Sequence, residues 1–171
     1  MNTVKIDKKN CRMIAHRGVS GLEKENTCAA FVAAGVKTYY GIETDVHVTA
    51  DGEYFIFHDD NMKRIAGVDM DIERSTAEQL RAVRMPDTDG KTFRSDLVVP
   101  ALKDYISICG KYDKTAVLEL KNPMERKHVL NIAALVKDMG WLDRTIFISF
   151  AKENLVTLRE EYKDADLQFL T

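Results

Sequence analysis

The chain alternates short apolar runs with amphipathic ones, and several apolar runs end abruptly in polar residues. Met13-Ile14-Ala15 gives way to His16-Arg17-Gly18, and an apolar-flanked run over 40–49 carries Glu43 and Asp45 one residue apart. Tyr54-Phe55-Ile56-Phe57 ends in His58-Asp59, and Thr115-Ala116-Val117-Leu118 runs into Glu119-Leu120-Lys121. Two further apolar runs cover 144–150 and 167–170. Runs of this length, apolar on both faces, predict strands of a parallel sheet. Between them a helical period predicts helices over 28–34, capped by Asn26 or Thr27 and stopped by Gly35, and over 100–109, opened by Pro100 and closed by Gly110. Two more are predicted over 124–139, ending at Gly140, and over 153–162. Asp51-Gly52 is tight-turn chemistry, so the runs on either side of it are expected to be adjacent strands.

Residues 59–100 break this rhythm. Ser75-Thr76-Ala77-Glu78 fits a capping box opening a short helix to Val83, and Asp87-Thr88-Asp89-Gly90 is turn chemistry before residues 91–99. The segment reads as a small insertion beside a site, where structure that selects a substrate is usually placed. Strands alternating with helices make the class α/β, with its site at the C-terminal ends of the strands. An open doubly wound sheet would call for a glycine-rich phosphate loop after the first strand, and His16-Arg17-Gly18-Val19-Ser20-Gly21-Leu22 matches neither nucleotide fingerprint. A barrel is therefore favoured.

Composition narrows the partners. With 171 residues, 45% hydrophobic and 30% charged, the chain reads as one soluble globular domain. A net charge of −2 offers no basic field for a nucleic-acid backbone. Residues 1–10 hold no apolar core of signal-peptide length, and no run approaches the roughly 18 apolar residues of a membrane span, so a cytoplasmic location is expected. Cys11, Cys28 and Cys109 lack metal-ligand spacing and read as reduced structural thiols.

The chemistry concentrates in the polar ends of the strands. Alternation along a strand puts Glu43 and Asp45 on one face, and two carboxylates that close repel unless one takes a proton or a cation lies between them. A hard divalent metal is the first hypothesis, with His16-Arg17 and His58 as partners. Glu119 and Lys121 share a face at the end of another strand. His47 shares the face of Glu43 and Asp45 but is expected to be solvated, as is His128 on its helix.

Taken in order, His16-Arg17-Gly18, Glu25-Asn26-Thr27, Glu43-x-Asp45, Thr49-x-Asp51-Gly52, His58-Asp59, Pro100-x-Leu102, Glu119-x-Lys121 and Ser149-Phe150 resemble the glycerophosphodiester phosphodiesterase family. Lys24 stands where members often have proline. The resemblance implies a TIM-type barrel over 1–171, with the family's small insertion at 59–100, that hydrolyses a glycerophosphodiester to an alcohol and glycerol phosphate. It implies one divalent cation, Mg²⁺ or Ca²⁺, held by Glu43, Asp45 and Glu119, with His16 and His58 as the acid-base pair and Arg17 and Lys121 on the phosphate. Three carboxylates suit those hard cations. Because a closed barrel of this type typically takes ~250 residues, about six strands imply an incomplete barrel, a truncated product or fragment prone to self-association through open edges. A lysophospholipase D-like or sphingomyelinase D-like activity on the same scaffold is the alternative within enzymes. A non-catalytic metal- and phosphate-binding remnant is the alternative outside them.

Overall fold

The computed structural model describes residues 9–171; most of the segment expected to lack a signal-like core, residues 1–8, lies outside it. Six strands form one sheet: β1 (Ile14–Ala15), β2 (Gly41–Val48), β3 (Tyr54–Ile56), β4 (Thr115–Leu120), β5 (Thr145–Ser149) and β6 (Asp166–Phe169). Their order is β1-β2-β4-β5-β6, each neighbouring pair parallel. β3 lies off this path, antiparallel to β2 across the Asp51-Gly52 turn. Five strands thus form the parallel wall, and the sixth is a hairpin partner. The expected adjacency is present, but one of the six expected strands is not a wall strand. With helices on its outer face, the sheet is the wall of a TIM-type barrel, open along β1 and β6 among the described residues.

The helices are α1 (Cys28–Gly35), α2 (Lys63–Ala66), α3 (Ala77–Ala82), α4 (Leu102–Lys111), α5 (Arg126–Asp138) and α6 (Lys152–Glu161). Thr27 caps α1, its hydroxyl accepting from the Ala30 N–H. At α3 the capping box is Thr76 with Gln79, one position on from the expected Ser75 and Glu78. At α4 the Asp104 carboxylate accepts from the Ala101 N–H at 2.9 Å, satisfying a donor at the helix entrance. Gly110 falls inside that helix, which ends where Tyr112 and the left-handed Asp113 follow.

Two apolar clusters result. Ile42, Val46, Leu118, Leu120 and Phe147 on the sheet meet Phe31, Tyr105, Val129 and Ile132 from the helices. Full burial contributes roughly 1.5–3 kcal/mol for each large side chain, so this layer holds the wall flat against its helices. Phe55 and Phe57 join Met62, Ile72, Leu80, Met85 and Leu97 in a second cluster. Residues 59–100 therefore pack around their own apolar centre, anchored on the strand that delivers His58. No helix among the described residues is long and apolar enough to cross a membrane, and all three cysteines are free.

Candidate active site

Register brings the acidic residues together. On the parallel pair β2 and β4, Asp45 lies opposite Glu119 and Glu43 opposite Val117, so Glu43 and Asp45 on one strand meet Glu119 on the next. All three are buried, and one carboxylate oxygen from each falls within 4.8 Å of the others. The helix layer takes the alternate side chains Ile42, Val46 and Leu118, leaving the acids on the inner face, near the strands' C-terminal ends.

The loop after β1 supplies the next group. Arg17 and Gly18 are both left-handed, with φ of 54° and 74°. That bend turns the Arg17 N–H onto Glu43 Oε2 at 2.9 Å and leaves His16 Nε2 3.8 Å from the same oxygen. The Arg17 side chain donates from Nη1 to Glu25 at 3.0 Å, while its Nε, 3.9 Å from Asp45, donates to no described residue. Lys121 Nζ stands 2.9 Å from Glu119 and 3.5 Å from Asp45. His58, just past β3, places Nδ1 2.7 Å from Asp59 Oδ1. All seven residues read from the sequence thus stand at one edge of the sheet, tied to one another directly or through Glu25, Asp59 and Arg64.

The electrostatics are those of a site built for a cation. Burial first, then the charges of Asp45 and Glu119, push the Glu43 carboxyl up to about 8, against the pull of the Arg17 N–H. Asp45 Oδ1 and Glu119 Oε1 are buried and accept no well-aligned hydrogen bond from any described residue. Lys121 Nζ is the cation beside them, at 3.5 and 2.9 Å, and it leaves lone pairs on both that a further cation would take. Burial alone would lower the pKa of Lys121, but Glu119 and Asp45 outweigh it and hold the ammonium above its ordinary range. The three carboxylates therefore fit a hard divalent cation, and the two side-chain cations at their rim suit an anionic ligand.

Several partners were not assigned from sequence. Asn26, itself left-handed at φ 54°, donates from Nδ2 to Asp45 Oδ2 at 2.8 Å and accepts from the Thr44 hydroxyl at 2.8 Å. It fixes one Asp45 oxygen and leaves the other to face Lys121. Its signal was an asparagine, a residue that tolerates positive φ, directly ahead of a helix cap. His47 is a correction: it is fully buried, Nδ1 lies 3.0 Å from Glu73, and it faces the segment around His58 instead of solvent. His128 is also partly covered, 3.2 Å from the Tyr54 hydroxyl.

Comparison with known proteins points to one family. Residues 16–171 match the model of the Glycerophosphoryl diester phosphodiesterase family. YqiK of Bacillus subtilis is 31% identical over 149 residues, 84% of this chain and 60% of that protein. A glycerophosphodiester phosphodiesterase of Caldanaerobacter subterraneus subsp. tengcongensis is 29% identical over 159 residues, 90% of this chain and 62% of that one. A phosphodiesterase of Oleispira antarctica, solved with its product sn-glycerol-3-phosphate, superposes with a TM-score of 0.81 at 26% identity, over 93% of this chain and 65% of that one. This chain spans about three fifths of the length of the curated relatives it matches. With the acidic trio and both imidazoles at the strand ends of a TIM-type wall, and a match running over residues 16–171, the chain belongs to the glycerophosphoryl diester phosphodiesterase family.

Proposed function

We propose that this chain carries the catalytic edge of a metal-dependent phosphodiesterase that hydrolyses glycerophosphodiesters to an alcohol and glycerol 3-phosphate. The observation that carries the reading is the buried trio Glu43, Asp45 and Glu119, one oxygen from each within 4.8 Å of the others, with Arg17, Lys121 and His16 beside them. The family match and the product held by the Oleispira antarctica relative support the substrate class. A divalent cation on those three carboxylates, Mg²⁺ or Ca²⁺ from the hardness of the donors, would draw charge from the phosphoryl oxygens as a Lewis acid.

The chain's own groups do the rest. Arg17 and Lys121 hold the remaining phosphate oxygens and stabilise the charge that builds on them. His16 serves as base: burial of part of its ring and the neighbouring Arg17 charge hold its pKa below the ordinary value, so it is neutral and able to accept the proton of the attacking hydroxyl. As the oxygen of that hydroxyl bonds to phosphorus and the bond to the leaving alcohol breaks, His58 donates a proton to the departing oxygen; where the attacker is the substrate's own neighbouring hydroxyl, water then opens the cyclic phosphate to glycerol 3-phosphate. Each transfer contributes about 10²- to 10⁴-fold in rate. The free thiols support a reducing, cytoplasmic setting.

Choline release from glycerophosphocholine tests this directly. Release that requires added Mg²⁺ or Ca²⁺ and disappears in His16→Ala is the expected result. Calorimetric metal binding with no turnover would leave a binding module in place of an enzyme, and preference for a lysolipid would move the substrate class. Full activity in Glu43→Ala would overturn the metal assignment.

A further inference from the structure

Arg64 lies outside the cluster of seven, on the one-turn helix α2 within residues 59–100, yet it joins the two ends of the site. Its Nε donates to Asp59 Oδ2 at 2.6 Å and its Nη2 to Asp59 Oδ1 at 2.8 Å, a two-point grip on one carboxylate. Nη1 and Nη2 also donate to the two oxygens of Glu25 at 3.2 and 2.8 Å. Each carboxylate then holds a residue of the proposed machinery: Asp59 Oδ1 lies 2.7 Å from His58 Nδ1, and Glu25 Oε1 accepts from Arg17 Nη1 at 3.0 Å. The chain of contacts runs His58, Asp59, Arg64, Glu25, Arg17.

The Arg64 side chain is 49% exposed and its two carboxylate partners are partly buried, so water weakens the contribution of these pairs to stability without removing it. What the fork gives is direction, because a planar guanidinium matches a carboxylate at two points and fixes its plane. Asp59, held ionised by that grip, can only accept, so the Nδ1 of His58 carries the proton and Nε2 is left as the nitrogen that faces a reacting group. Without the fork, the partly buried Asp59 carboxylate is free to turn toward water, and the His58 imidazole to turn with it. Glu25 stands in the same relation to Arg17.

We propose that Arg64 is a positioning residue that sets the proton-donating face of His58 and the phosphate-binding fork of Arg17 together, through Asp59 and Glu25. The proposal rests on the roles given to His58 and Arg17 above. A lysine at this position has no planar fork, so it can pair with the carboxylates but cannot fix their planes.

The test compares the 171-residue chain with Arg64→Gln, Arg64→Lys, Asp59→Asn and Glu25→Gln on two glycerol phosphodiesters, one releasing choline and one releasing nitrophenolate, which leaves without needing a proton. The expected pattern in Arg64→Gln and Arg64→Lys is a fall in kcat of up to about 100-fold on the choline ester. On the nitrophenyl ester the fall should be less than about tenfold. Asp59→Asn should follow the same leaving-group pattern, and Glu25→Gln should raise KM for both esters. Equal kcat losses on the two esters, or no loss at all, would overturn the proposal. A second readout is independent of turnover: the Nδ1 proton of His58, identified by nuclear magnetic resonance through its absence in His58→Ala, should exchange-broaden in Arg64→Gln. If the wild-type chain cleaves neither ester, the proposed function fails, and the resonance alone decides: an unchanged Nδ1 proton in Arg64→Gln rejects the positioning role, and a broadened one sustains it.

Discussion

Glu43 sits in surroundings that disfavour its charge, and that can be tested directly. Its folded pKa, about 8, lies well above the ordinary 4.5. A group whose pKa is raised on folding favours the folded state while it stays protonated. That contribution is complete below pH 4.5 and is lost as the pH rises through 8. The metal-free protein should accordingly melt at lower temperature at pH 8.5 than at pH 6, and Glu43→Gln should abolish that dependence while stabilising the protein at pH 8.5 by on the order of 1–3 kcal/mol. Mg²⁺ or Ca²⁺, competing with the proton, should restore the melting temperature of the wild type and leave Glu43→Gln unmoved. Parallel melts of the two proteins across this range, recorded by circular dichroism with a chelator present, would refute the charge argument. Side-chain alternation made the placement of Glu43, Asp45 and Glu119 on inner strand faces legible in the sequence. The contact of Asn26 with Asp45 was not legible, because it depends on a left-handed backbone that no hydrophobic period encodes. The burial of His47 was missed for a related reason: its cover, Glu73, comes from 26 residues away.

Among the elements, the loop from β1 into α1 has little freedom. A Cβ at Gly18 would lie 2.7 Å from the backbone carbon and the Cβ of Ala30, and the residue sits at φ +74°, so both space and backbone oppose any side chain. Gly18→Ala should cost about 2 kcal/mol or more. Because the same loop aims the Arg17 N–H at Glu43, the variant should lose divalent-metal affinity along with stability. Gly21→Ala, where an added Cβ meets nothing within 4 Å, is the control and should change neither. A Gly18→Ala protein with wild-type melting and metal titration would show that the loop tolerates rearrangement. The glycine was visible in His16-Arg17-Gly18, but its reason, the wall of α1 against it, needed the fold. Strand positions were readable because burial on both faces leaves little else a short apolar run can do. Helix ends were less so: Ser75 with Glu78 and Thr76 with Gln79 fit one template equally, and Gly110 packs inside α4 instead of ending it.

For the whole molecule the question is how the wall ends. β2, β4 and β5 each have parallel neighbours on both sides, whereas β1 and β6 have one each among the described residues. The two edges are not equal hazards. β1 pairs over two residues, too short to template much of a ladder, whereas β6 offers four, three of them exposed. Phe169 on that strand and Val156 on α6 are 53% and 46% exposed, and with Leu155 and Leu167 they border one apolar groove. An unpaired strand beside an apolar groove is the arrangement that recruits another copy of the chain. The 171-residue chain should therefore associate as its concentration rises, and Phe169→Lys, which sets a charge in the groove and on the edge together, should shift it toward monomer with the active-site residues untouched. Light scattering across a dilution series distinguishes the cases. A monodisperse monomer at high concentration would mean that water satisfies the β6 edge well enough, and an unchanged association in Phe169→Lys would move the contact to a different face of the sheet.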